Sequence, residues 1–261
     1  MLRGGASGAA GLLAALSPQF AAARQVKPDD KRLSARYAGY ASPRGHGTGR
    51  GCRVRPAEAA GPLPTALVIH ENRGLNPHIE DVARRLALEN YIAFAPDALF
   101  PLGGYPGDED RARAGFARLD PAKTRQDPLA AADMLRGVDG GNGRMGAVGF
   151  CWGGAMTSFL ATRPPDLRAA APFYGPAPAA EDVPKIEAGL LAVLAENDER
   201  VNARPGYEQA LKQAGVRYAL YPPPGTEHGF HNDTMPRCDA DAAKEAWRRT
   251  LALFERTLRR A

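Results

Sequence analysis

Short unbroken apolar runs recur along this chain, each followed by a stretch with helical spacing. This alternation constrains the fold more than any other feature. Ala66-Leu67-Val68-Ile69 is the clearest run. Apolar runs of this length suit strands buried on both faces, as in a parallel sheet. Further strands are predicted over 91–95, 145–150, 167–173, 190–195 and 216–221, with two more over 34–41 and 51–55 around a turn at Pro43 to Gly47. Helices are predicted over 77–90, 108–119, 121–136, 154–162, 204–214 and 240–259. In the first of these, Pro77 suits the opening turn, Glu80 and Asp81 complement its positive end, and Ile79, Val82, Ala83 and Leu86 form an apolar stripe. Residues 96–107 (PDALFPLGGYPG) hold too much Gly and Pro for regular structure and suit a lid or site rim. The pattern predicts an α/β chain with a mostly parallel eight-stranded sheet and helices on both faces.

The chain has 261 residues, 44% of them hydrophobic, enough for a full core without a disulfide framework; it has only three cysteines. No apolar run is long enough to span a bilayer. The net charge of +5 is scattered, and its densest patches, 44–55 and 248–260, do not interleave aromatic with basic residues. Neither nucleic acid nor membrane is therefore expected as a partner. One domain is expected over 33–261, acting as a monomer, since nothing resembles a coiled-coil seam. Residues 1–32 are expected to be a signal-like or disordered segment. Within them, 1–23 have the order of an export signal: Arg3, a Leu/Ala middle, then Ala21-Ala22-Ala23. Export to the periplasm follows if those residues are the remainder of a signal, and a cytoplasmic location follows otherwise.

The sharpest chemical feature is Gly149-Phe150-Cys151-Trp152-Gly153-Gly154, placed after one predicted strand and before a predicted helix. That is the setting of a nucleophile elbow with Cys in place of Ser. Glycines two before and two after the nucleophile let strand and helix approach closely. Unpaired N–H groups at the helix start favour a thiolate and can hold an oxyanion. Elbow hydrolases order their triad nucleophile, acid, histidine. Asp198 follows the strand 190–195 and His228 follows the strand 216–221, so both sit where open α/β sheets place their sites. Glu71 follows the strand 66–69, in the loop that supplies the second oxyanion donor; its alternative is an ion pair with Arg73. The five histidines and three cysteines match no metal-ligand spacing, and no phosphate-binding glycine motif is present. No metal and no cofactor are expected.

Taken together, HENRGL at 70–75, GFCWGG at 149–154, NDER at 197–200 and HGFHND at 228–233 resemble the dienelactone hydrolase (carboxymethylenebutenolidase) family over about residues 33–258. The resemblance implies an α/β-hydrolase fold and hydrolysis of a small ester or lactone through a cysteine thioester. It implies a triad of Cys151, Asp198 and His228. Glu71 would hydrogen-bond the resting thiol and help deprotonate it when substrate binds. The oxyanion hole would be the backbone N–H groups of Trp152 and Asn72. The family's two carboxylate-binding arginines have no counterpart: Ala98-Leu99-Phe100-Pro101 and Asn232 stand in their places. The resemblance therefore carries the chemistry but not dienelactone as the substrate. Arg73, Tyr105, His231 and Arg237 are the candidate substrate-binding residues. Branches of the family with HENRGL often carry a twin-arginine export signal, and the N-terminal stretch is similar to the tail of one. A general carboxylesterase or thioesterase on the same triad is one alternative. A non-catalytic redox sensor or binding protein with Cys151 as an oxidisable thiol is the other.

Overall fold

The computed structural model describes residues 25–163, 167–202 and 206–259. The signal-like residues 1–23 and the predicted helix stop at Pro164-Pro165 lie outside them. Strands β1 (Leu33–Ser42) and β2 (Gly47–Pro56) form an antiparallel hairpin, and β2 pairs antiparallel with β4 (Ile92–Pro96). The others run parallel: β3 (Leu63–Ile69), β5 (Gly141–Phe150), β6 (Leu167–Phe173), β7 (Gly189–Val193) and β8 (Tyr218–Tyr221). The eight-stranded sheet has the order β1-β2-β4-β3-β5-β6-β7-β8, which is the α/β-hydrolase arrangement expected from the motifs.

Strand alternation sends successive side chains to opposite faces, and both faces are dry. Ala66, Val68, Val148 and Phe150 meet Ile79, Val82 and Leu86 of α1 (Pro77–Leu88) and Leu253 and Phe254 of α7 (Ala240–Phe254). Leu67, Ile69 and Ala147 point the other way. They meet Ala131 and Leu135 of α3 (Pro121–Arg136), Met156 and Leu160 of α4 (Trp152–Ala161), and Leu211 of α6 (Tyr207–Gln213). The remaining helices are α2 (Glu109–Phe116) and the single turn α5 (Glu199–Asn202).

Several boundaries differ from expectation for physical reasons. Helix α4 begins at Trp152, two residues before the predicted Gly154, because the elbow's crowded backbone sets the helix start, not glycine's poor intrinsic propensity. Strand β2 begins at Gly47, since it pairs residue for residue with β1 as far as Ser42. The Gly/Pro-rich loop contains a 3₁₀ turn at Phe100–Leu102, and the closing helix loosens into a π turn at Glu255–Arg259.

One partly buried ion network ties distant parts of the chain together. Asp81 of α1 accepts hydrogen bonds from the N–H groups of Gln25 (3.2 Å) and Val26 (2.8 Å) and pairs with Arg85 at 2.5 Å. Arg85 also reaches Asp233 (2.7 Å), which accepts from His78 Nδ1 (2.7 Å) and Gln25 Nε2 (3.1 Å).

Candidate active site

The parallel strands deliver their C-terminal ends to one rim, and the candidate residues collect there. Cys151 follows β5 directly. Its backbone has φ 55° and ψ −112°, a left-handed conformation costly for a side chain with a Cβ. The surroundings hold it in place. Its N–H donates to Phe173 O (3.0 Å), and its carbonyl accepts from Ala155 N (3.0 Å). A Cβ at Gly149 would lie 2.1 Å from Gly153 O, and one at Gly153 would lie 2.1 Å from Ile69 O. Only glycine permits this crossing of β3, β5 and α4.

The thiol sits at the N-terminus of α4, within reach of the N–H groups of Trp152 and Asn72. Burial pushes it up to about 11, the Glu71 carboxylate adds to this, and the two N–H groups and Arg73 pull against it. At neutral pH the resting group is thus a thiol. Glu71 is buried (6% exposed) and does not pair with Arg73. It accepts from Asn232 Nδ2 at 3.0 Å and from the Tyr174 hydroxyl at 3.5 Å. Burial raises the Tyr174 phenol well above its ordinary value, with Glu71 and Cys151 adding to the effect, so it remains a donor.

Asp198 and His228 are brought together as expected: Asp198 Oδ2 hydrogen-bonds His228 Nδ1. Both sit in loops, and the loops are stitched to each other. Asn197 N donates to Thr226 O (2.9 Å), Glu196 N to Thr226 Oγ1 (3.2 Å), and Gly225 N to Glu196 Oε2 (2.7 Å). Asp198 is 4% exposed, whereas the His228 side chain is 20% exposed and turned towards the rim. The His228 ring lies 5.1 Å from that of Tyr174, which joins it to the Glu71–Cys151 cluster.

The four expected substrate-binding residues divide. Arg73 and Tyr105 stand at the site, both on one carboxylate: Glu109 takes Arg73 Nε (2.8 Å), the Tyr105 hydroxyl (3.1 Å) and Asn76 Nδ2 (3.1 Å). Arg237 is exposed, with Nε close beside Gly229. His231 is a correction. It is 2% exposed and stacked on Phe150 (4.9 Å), behind the elbow, and burial drives its pKa well below the ordinary value. It packs the core and does not face a substrate.

Residues beyond the expected set also shape the site, among them Tyr174 and Glu109 already described. Asn232 holds Glu71. His70, buried, accepts from Ala98 N at Nε2 (3.0 Å), donates from Nδ1 to Glu71 O, and stacks on Trp152 at 5.3 Å. Burial lowers its pKa, which suits this neutral tautomer. It ties the oxyanion loop to the loop that follows β4. Each has a sequence signal of a kind: His70 opens the HENRGL run and Asn232 lies in HGFHND. Phe116 of α2 closes the wall, 5.0 Å from Trp152.

Among the described residues, no group of three or more His, Cys, Asp or Glu side chains could hold a metal ion, and no helix is long and apolar enough to cross a membrane. A cavity of about 380 Å³ lies at the opposite end of β7 and β8, against α7, far from this chemistry.

Comparison with known proteins agrees with the motifs. The sequence model of the dienelactone hydrolase family matches residues 50–258. The "Putative carboxymethylenebutenolidase" of Escherichia coli K12 is 30% identical over 218 residues, covering 77% of this chain and 80% of that protein. The "Putative hydrolase fragment YghX" of the same organism is 52% identical over 106 residues, 41% of this chain and 91% of the fragment. The crystal structure of a "Putative Dienelactone Hydrolase" from Klebsiella pneumoniae superposes with a TM-score of 0.73 at 27% identity, covering 85% of this chain and 98% of that one.

Proposed function

The chain belongs to the dienelactone hydrolase family and is a carboxylic-ester hydrolase, and from that premise we propose that it cleaves a small ester or lactone through a Cys151 thioester. The observation that carries this reading is the strained Cys151 at the head of α4, its thiol between Glu71 and the N–H groups of Trp152 and Asn72.

A thiol this basic needs a base to become a nucleophile. His228, its tautomer fixed by Asp198, takes the proton, either directly or after Glu71 has triggered ionisation. Sγ then bonds to the carbonyl carbon. The oxyanion is held by the N–H groups of Trp152 and Asn72, each worth about 2.7–4 kcal/mol in a tight hole. Collapse breaks the carbon–oxygen bond, and the imidazolium returns its proton to the leaving alkoxide. Water, deprotonated by His228, attacks the thioester and releases the acid and the free thiol. The strained backbone at Cys151 and the two N–H groups beside its sulfur support a nucleophile over an oxidisable sensor thiol.

The test is hydrolysis of an activated aryl ester beside Cys151→Ala. Turnover is expected to fall at least about 10³-fold in the variant. Equal rates in both proteins would overturn the thioester route.

A further inference from the structure

The charged groups around Cys151 are distributed unequally. Glu71 and Asp198 are buried carboxylates of the site, and buried Asp97 lies at the start of the lid loop. Arg73 is the cation on the oxyanion loop itself, and its side chain is only 15% exposed. It is already engaged by Glu109 at 2.8 Å, and that carboxylate is fixed by two further donors, Asn76 and Tyr105. On the opposite side, Glu71 is met by the neutral amide of Asn232. The wall facing this cluster is aromatic: Trp152, Phe116 and Tyr105 pack over Leu99 and Ala98.

We infer that this site selects uncharged esters and lactones with an apolar or aromatic face, and that Glu109 sets the selectivity by neutralising Arg73. The inference rests on the hydrolase reading and names its substrate class. A carboxylate entering the site would meet the carboxylate of Glu71, whose direct hydrogen-bond partners Asn232 and Tyr174 are both neutral, at short range in a medium of low dielectric. To be held by Arg73 it would have to displace a carboxylate that is already ion-paired with it and fixed by two hydrogen-bond donors. A neutral carbonyl incurs neither cost and gains the aromatic wall. Glu109 acts through Arg73 and is a positioning residue; it does not touch the reacting atoms. The same field acts on the thiol, where Glu71 raises the pKa more than Arg73 lowers it.

Two measurements test this with the full chain. The first compares kcat/KM for mono-4-nitrophenyl adipate with its methyl ester, in the wild type, Glu109→Gln and Glu109→Gln/Arg73→Gln. The wild type is expected to prefer the methyl ester at least about tenfold, Glu109→Gln to narrow that ratio severalfold by improving the charged ester, and the double variant to restore it. The second needs no turnover: the rate of Cys151 alkylation by iodoacetamide over iodoacetate, referred to the same ratio for 2-mercaptoethanol. It is expected to exceed the reference at least about tenfold and to shrink in Glu109→Gln. Equal or better handling of the anionic member of either pair overturns the inference. So does a neutral preference that Glu109→Gln leaves intact, or a carboxylate preference that Arg237→Gln removes. If neither ester is turned over, the hydrolase reading fails, and the alkylation ratio still decides the charge selectivity.

Discussion

Of the three histidine–aspartate pairs among the described residues, two bear comparison, one at the proposed active site and one away from it. His228 Nδ1 meets Asp198, and His78 Nδ1 meets Asp233 at 2.7 Å. In the second pair it is the histidine that is closed off, while Asp233 is 21% exposed. The His78 side chain is 1% exposed, its Nε2 is buried, and Asp233 is shared with Arg85 and Gln25. The first pair has one open end, with His228 at the rim beside Tyr174. A carboxylate fixes the tautomer in both, so the dyad alone does not make a base. What distinguishes them is which ring is enclosed: the His78 side chain is 1% exposed and that of His228 is 20% exposed.

The comparison breaks most visibly under substitution. His228→Ala is expected to lower kcat/KM at least about 10³-fold while moving the melting temperature by less than about 3 °C. His78→Ala is expected to do the reverse, lowering the melting temperature by about 3–10 °C while kcat/KM stays within about tenfold, because it leaves a void in the interior and removes one partner of half-buried Asp233. Thermal melts beside aryl-ester kinetics read both. Similar catalytic losses in the two variants would erase the distinction.

A smaller effect concerns the Cys151 thiol, which the proposed mechanism pairs with His228. Its alkylation rate should still be climbing at about pH 10, since burial and Glu71 hold the thiol at about 11. Removing the Glu71 charge removes a penalty on the thiolate, so Glu71→Gln should move the midpoint down by about one unit. A midpoint near about 8.5 in both proteins would place the thiol away from Glu71.

The smallest effect sharpens the other pair. Burial works to raise the Asp233 carboxyl, but the hydrogen bonds and charges of His78 and Arg85 outweigh it and hold it below the ordinary range. A carboxyl depressed in the folded state gives stability that is present above its unfolded value of about 3.9 and lost as pH falls towards the folded one. Acid unfolding of Asp233→Asn should therefore be less steep below about pH 4 than that of the wild type. Identical acid slopes would mean that the pair stores no such stability.

The sequence revealed the site unevenly. The elbow was visible because glycines, strand and helix all lie within a few residues of Cys151. Asp198 and His228 were visible because each follows a strand by a few positions, and a parallel sheet gathers strand ends. His231 misled because distance along the chain from His228 says nothing about side: three residues on, the chain has turned into the core against Phe150. The Arg73–Glu109 pair spans the whole lid loop and depends on which face α2 presents, which periodicity does not reveal. The support of Glu71 by Asn232 spans 161 positions and was equally hidden. The sheet's eight strands were each anticipated, while their ends moved with pairing and crowding.

The crossing at Gly149 and Gly153 has a consequence for how such a chain can change. Because backbone atoms already fill the space where a side chain would begin, mutation has no smooth route for sliding the thiol of Cys151 along the turn. The element at its tip is free in a way its position is not. Exchanging sulfur for oxygen alters one atom and asks nothing of the scaffold. Descendants of this chain can therefore explore new reactivity at this point in space far more readily than they can move the point itself.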